Sequence, residues 1–288
     1  MQKKQRYGLI AGALLFVVGL YFLPRVVVDN EASEEELNAA TVTAEGMEEE
    51  VGQSPEPANP EHEAHQTALP PQLKQQVDRW RSAFKTTRNS AEKQEMLDSL
   101  TAIWKGIQRW DSIAVYTEIL WKESGDPRLR RKAGDAYYEA MTRAGSQQES
   151  ARLAQKARNY LEERLRNSPA DLNVKTKLGM TYVPTQNPMQ GITMIREVLE
   201  EDPEHPLALL NLGLLSMRSG QFDKAVERFR KLTAVSPEDA QAHFYLGVAY
   251  TESGVPERAR PAFTSARDLA GTDSLLMEAA QNYLDNLP

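Results

Sequence analysis

The chain has 288 residues, 41% of them hydrophobic, with no Cys and a formal net charge of −7. That length allows one or two domains, and without Cys there is no disulfide framework, no thiolate nucleophile and no site for lipidation on cysteine. The charge is unevenly placed. Residues 1–28 hold four basic side chains and no acid, residues 29–69 hold twelve acids and no base, and residues 70–288 hold 30 bases against 29 acids. The folded part is therefore nearly neutral overall and lacks a basic nucleic-acid footprint, so no nucleic-acid partner is expected.

Tyr7 to Leu23 is an uncharged apolar run closed by Pro24. As a helix it spans ~25 Å, slightly short of a ~30 Å hydrocarbon core, and Val26 to Val28 extend it if Arg25 snorkels. The spacing predicts a membrane anchor over residues 7–28. The rival reading, a cleaved signal peptide, shares the basic start, but no small-x-small cleavage site lies near Arg25. Lys3, Lys4 and Arg6 precede the span, which predicts a cytoplasmic N-terminus (residues 1–6) and everything after residue 28 across the membrane. In a two-membrane bacterium this is a single-pass inner-membrane protein with a periplasmic domain. Gly8 and Gly12 share one helical face, the pattern of a weak membrane homodimer.

Residues 29–69 combine Glu runs with Pro55, Pro57 and Pro60. High charge with few large apolar residues does not repay ordering entropy, so the segment is expected to be a disordered acidic linker. A flexible chain of that length averages ~35 Å end to end. His62 and His65 lie among these acids, and such a pair is rejected as a metal site.

From residue 70 onward apolar residues recur at helical spacing. Leu73, Val77, Trp80 and Phe84 predict a first helix over 71–88. Met96, Leu100, Ile103, Trp104 and Ile107 predict a second over 91–108. Trp80, Trp104, Trp110 and Trp121 read as core aromatics rather than a ligand box. Asp126-Pro127 reads as a helix start. The interval from Pro127 to Pro169 is longer than that from Pro203 to Pro237, and the excess is expected in a longer turn around Gly145 to Ser150.

The clearest pattern occupies residues 171–272. Leu212-Gly213 recurs as Leu246-Gly247, Ala225 as Ala259 and Phe229 as Phe263, always at the same spacing. Leu178-Gly179, Tyr182, Gly191, Ile195 and Pro203 extend the register one copy upstream. Small residues in this pattern let two antiparallel helices approach, and large ones fill the space beside them. Ser236-Pro237 and Asp202-Pro203 read as helix starts, and Gly220 and Gly254 as turns between paired helices. Leu-Gly-x-x-Tyr followed by Ala-x-x-x-Phe at a 34-residue period resembles the tetratricopeptide (TPR) repeat, with His243 and Gly271 departing from its preferred Trp and Pro. The resemblance implies an all-α fold: a right-handed solenoid of helical hairpins over 70–288, here behind a single transmembrane helix. Clear repeats are expected at 171–204, 205–238 and 239–272, divergent ones at 91–126 and 127–170, and a capping helix at 273–287.

In that family the first helix of each pair lines a groove that holds protein or peptide ligands. Carried over in register, the groove presents Asn173, Thr176 and Met180, then Leu207, Leu210, Leu214, Met217 and Arg218, then Gln241, Phe244, Val248 and Glu252. Members that clamp a C-terminal carboxylate use Lys, Arg and Asn at set places. Here Thr176, Met180, Gln241 and Tyr245 stand at those places and only Asn211 agrees, so the apolar stripe points instead to an apolar or amphipathic segment as ligand. The alternative is that Leu210, Leu214 and Met217 simply bury against neighbouring repeats.

No Gly-x-Ser-x-Gly, phosphate loop or His-Glu-x-x-His occurs, and no catalytic residue, metal or cofactor is expected. The reading is a membrane-tethered scaffold for proteins outside the cytoplasm, serving assembly, folding or translocation of envelope proteins. Its layout is similar to that of the ancillary repeat proteins of the bacterial Sec translocon and of cytochrome c maturation. The alternative reading is a permanent structural subunit of a larger membrane complex. A third is an organelle receptor with cytosolic repeats.

Overall fold

The computed structural model describes residues 71–287. The expected span over 7–28 with Gly8 and Gly12, the acidic linker 29–69 and the His62/His65 pair lie outside the described residues. Among the described residues every regular element is helical, and no helix is long and apolar enough to cross a membrane.

The helices are α1 (Pro71–Thr86), α2 (Ser90–Gly106), α3 (Trp110–Ser124), α4 (Pro127–Thr142), α5 (Gln147–Asn167), α6 (Leu172–Met180), α7 (Pro188–Glu201), α8 (Pro206–Arg218), α9 (Phe222–Val235), α10 (Ala240–Glu252), α11 (Pro256–Leu269) and α12 (Ser274–Asn286). They divide into two compact units whose boundary falls inside α7, between Val198 and Leu199.

In the first unit, sequence neighbours α1 to α6 pack pairwise. One core gathers Val77, Phe84, Leu97, Leu100, Trp104, Tyr116 and Leu120, and a second gathers Tyr137, Leu153, Leu161, Val174 and Leu178. Trp104 is fully buried, and Trp80, Trp110 and Trp121 pack half-buried against the first core. The extra length between Pro127 and Pro169 is not in the turn. Residues 143–146 connect α4 and α5, and α5 itself runs 21 residues where α7, α9 and α11 run 14. Its sequence holds no Gly or Pro from Gln147 to Asn167, so nothing stops the helix after four turns. By contrast α6 is only nine residues long. Pro184 disfavours helical backbone at Val183, and the chain leaves α6 in a series of turns. Where α6 meets α7, Gly179 and Gly191 are in backbone contact: a Cβ on Gly191 would lie 2.1 Å from the Gly179 carbonyl oxygen.

The second unit is built from α8 to α12. Phe229 and Phe263, both fully buried, lie over Gly213 and Gly247 of the preceding helix. Gly220 and Gly254 take φ of +72° and +76° in the two hairpin turns, backbone that only glycine enters freely. Leu209, Ala225, Phe229, Leu232, Ala242 and Leu246 form one core, and Ala259, Phe263 and Leu284 another.

Two expected helix starts are displaced. Asp202-Pro203 and Ser236-Pro237 are not cap and first helical residue but the first half of a β-turn, closed by His205 N–H to the Asp202 carbonyl and Asp239 N–H to the Ser236 carbonyl, both at 3.1 Å. Proline suits the second place of such a turn as well as the first place of a helix. The cap is the residue that closes the turn. Asp239 Oδ1 accepts from the amides of Gln241 and Ala242 (2.9 and 3.1 Å), and His205 Nδ1 accepts from Ala208 (3.2 Å). The same turn and cap recur with Asp171 and Asp273, so the caps 171, 205, 239 and 273 keep the 34-residue interval. Asp126-Pro127 does start a helix as expected, with Asp126 accepting from Arg128 N–H at 2.8 Å.

Candidate functional site

On α8 the positions Ala208, Leu209, Leu212, Gly213 and Ser216 are buried, which turns the arc with Leu207, Leu210, Leu214, Met217 and Arg218 outward. On α10 the positions Ala242, Leu246, Gly247 and Ala249 are buried, leaving Gln241, Phe244, Val248 and Glu252 on the corresponding arc. Within the second unit these residues therefore occupy the same face of successive first helices.

That face is not fully open. Leu210, Leu214 and Met217 lean on the core that contains Phe229 and Leu246. Phe244 and Val248 lean on Phe263 and Leu284, and the Phe244 ring meets Phe263 and Tyr283 edge-on, each at 5.6 Å. Leu207 belongs to neither cluster and is half-exposed. Arg218 and Glu252 stand exposed at the C-terminal ends of their helices. Burial pushes the Tyr283 hydroxyl above its usual range, and the charge of Glu252 adds to the shift. The result is a half-buried apolar strip ended by one cation and one anion.

Asn173, Thr176 and Met180 lie in the first unit. Asn173 is exposed and Met180 half-buried. Thr176 is fully buried, with its hydroxyl donating to the Leu172 carbonyl at 2.8 Å. It is thus a core residue and presents nothing to a ligand. The positions compared with a carboxylate clamp are also engaged locally. Asn211 is buried and donates to the Leu207 carbonyl (2.7 Å), while Gln241 donates to the Tyr245 hydroxyl (3.3 Å) and Tyr245 stacks on Phe229.

One polar cluster has no counterpart in the sequence reading. Glu118 of α3, 7% exposed, accepts hydrogen bonds from the hydroxyls of Tyr137 on α4 and Tyr160 on α5. Lys122 lies 2.9 Å and Lys156 3.7 Å from its carboxylate. Burial alone would raise the Glu118 pKa, but the bonds from Tyr137 and Lys122, the charge of Lys156 and the bond from Tyr160 together hold it below its ordinary value. Both tyrosines are pushed above their usual range, by burial first and by the carboxylate second. This network ties three helices together. Spacing could not reveal it, because Glu118 and Lys122 look like any exposed i,i+4 pair.

Successive antiparallel hairpins whose first helices share one partly open face define a helical-repeat fold of the tetratricopeptide type. Residues 214–274 match the model of the family described as tetratricopeptide repeat. Among solved structures, TTC0263, a thermophilic TPR protein of Thermus thermophilus, is 17% identical and aligns over 68% of this chain and 99% of its own, with a TM-score of 0.50. That likeness shows the fold alone. MamA from Desulfovibrio magneticus RS-1 (residues 41 to its end) is 16% identical over 62% of this chain and 96% of its own, with a TM-score of 0.40. No curated protein matches the chain.

Proposed function

We propose that the protein is a membrane-tethered scaffold that holds another protein or peptide outside the cytoplasm. The anchor is residues 7–28, and the holding surface is the outward arc of α8 and α10. The observation that carries this reading is the half-buried apolar strip Leu207, Leu210, Leu214, Met217, Phe244 and Val248, repeated on one face of two successive hairpins. A surface of this kind suits the apolar side of an amphipathic helix, or an extended apolar segment, by helix-in-groove recognition. A role in assembly, folding or translocation of envelope proteins follows from the predicted topology. The permanent-subunit reading draws on α12, where Leu275 and Met277 are 58% and 40% exposed and would be covered in a larger complex.

A photo-crosslinking residue at Leu207, in cells carrying the full chain in native membranes, tests both parts. The expected result is a discrete protein adduct that disappears in Leu214→Glu, together with cleavage of the 29–69 segment by protease added from the non-cytoplasmic side. No adduct at Leu207 in the parent chain, or an adduct that persists in Leu214→Glu with unchanged thermal unfolding, removes the holding surface. Protection of the segment until the inner membrane is broken removes the topology.

A further inference from the structure

The hairpin α10/α11 carries a second opening, away from the apolar strip. His243, Leu246 and Tyr250 of α10 meet Glu257, Pro261 and Ala262 of α11 around an open cleft of about 360 Å³. At 3.6 residues per turn these α10 positions lie on the opposite side of the helix from Phe244, Val248 and Glu252. The cleft is therefore separate from the strip.

The repeat shows what fills this place elsewhere. Leu212, Ser216 and Arg228 of the hairpin α8/α9 stand 34 residues before Leu246, Tyr250 and Ala262. There the Arg228 guanidinium crosses from α9 to α8 and donates to the Leu212 carbonyl at 3.3 Å and to the Ser216 hydroxyl. In two other repeats an arginine reaches the same register position from the preceding second helix. Arg158 of α5 lies 3.8 Å from the centre of the Tyr182 ring and donates to the Thr181 carbonyl at 2.7 Å. Arg260 of α11 donates to the Leu284 carbonyl at 3.4 Å. Residues 182, 216, 250 and 284 are thus one position in four copies, and Tyr250 is the exception. The places that would supply its guanidinium hold Val226, in register with Arg158 and Arg260, and Ala262, in register with Arg228.

We propose that the cleft is a socket for an arginine side chain of a partner protein. Its acceptors match those of the filled copies. The Leu246 carbonyl corresponds to that of Leu212, and Tyr250 supplies a ring where Tyr182 supplies one to Arg158, the arrangement of a cation–π contact. The Glu257 carboxylate stands at the rim. Pro261 lies inside α11 and has no amide N–H to give to the Glu257 carbonyl one turn earlier, so a backbone acceptor on this edge lacks its usual helical donor. Arg258 also lines the cleft, yet a cation at that place does not bar another, since Lys224 holds it beside Arg228. From the filled hairpin to the open one, Arg228, Lys231 and Glu227 give way to Ala262, Ser265 and Pro261. Two cations and one anion are lost, which leaves the open cleft the more negative. A planar guanidinium suits this set better than an ammonium, because it stacks on a ring and donates from its edge at once.

The test uses the purified full chain with ring-labelled tyrosine, the Tyr250 resonance being identified by its loss in Tyr250→Phe. The probe is N-acetyl-arginine amide. The Tyr250 signal is expected to shift and to saturate with a millimolar Kd, as suits a single side chain. N-acetyl-lysine amide should bind at least about fivefold more weakly, and Glu257→Gln should weaken the arginine probe at least about threefold. Ala262→Arg, which restores the internal arginine of the preceding hairpin, should abolish the shift. Should that variant unfold, Glu257→Gln, at an exposed position, carries the test. A Tyr250 signal that stays still, or that moves equally with the lysine probe and in Glu257→Gln, overturns the proposal. So does self-association of the parent chain that Ala262→Arg removes, because the arginine is then that of a second copy.

Discussion

Gly247 on α10 lies directly under the ring of Phe263 on α11. A Cβ at that position would fall 2.7 Å from two ring carbons. The ring has no room to retreat, since it is fully buried and stacks on Tyr283 at 4.6 Å with Phe244 edge-on. Gly213 and Phe229 show the same relationship one repeat earlier. The Leu-Gly of the repeat is therefore a packing requirement between paired helices.

In Gly247→Ala the better helix propensity of Ala, worth ~1 kcal/mol, competes with overpacking that costs ~1–3 kcal/mol. The immobile ring decides the sign. Net destabilisation is expected, read as a fall of several degrees in thermal unfolding at ~2–4 °C per kcal/mol. A variant as stable as the parent would mean that Phe263 can move, and that the glycine is not required by contact.

The Glu118 network makes stability depend on acid. The folded carboxyl is held below its ordinary value of 4.5, so its contribution is present above that pH and is lost as pH falls through the folded pKa. The tyrosines give the opposite edge. Their folded pKa values lie above the ordinary 10.0, so stability falls once the unfolded chain can ionise them above that pH. Glu118→Gln should flatten the acid edge in denaturant titrations below about pH 4.5 while leaving the neutral plateau lower. Glu118→Ala, which strands the buried Tyr137 hydroxyl, should cost ~1–3 kcal/mol at neutral pH. An acid edge unchanged in Glu118→Gln would assign it to other carboxylates.

The sequence made the hairpins legible because their packing marks are single residues at a fixed interval: Gly213 and Gly247 for contact, Gly220 and Gly254 for the turns. It misplaced the helix starts by most of a turn because Pro203 and Pro237 fit a β-turn and a helix first turn equally. The long α5 was missed because its extent depends on the absence of a stop, which leaves no positive mark. Thr176 was misread as groove-facing because register gives an angle around the helix but not what covers it. Glu118 was invisible because its partners arrive from two other helices.

The last helix should act as a lid on the final hairpin. α12 packs on α11 and α10, with Ala280 and Leu284 buried and Tyr283 stacked on Phe263 and edge-on to Phe244. Ending the chain at Gly271 removes all of these contacts at once and uncovers Phe263, which is otherwise fully buried. Each large apolar side chain so exposed is worth ~1.5–3 kcal/mol, and terminal repeats without a cap leave a face that invites association. The truncated chain should unfold at lower temperature and aggregate in light scattering at concentrations where the full chain does not. Tyr283→Ala, which keeps the helix but removes the stacked ring, should fall between the two. If the truncated chain matches the full one in both measurements, α12 contributes nothing to the hairpin beneath it. Its exposed Leu275 and Met277 would then be the part of this helix to pursue, as a contact for another protein.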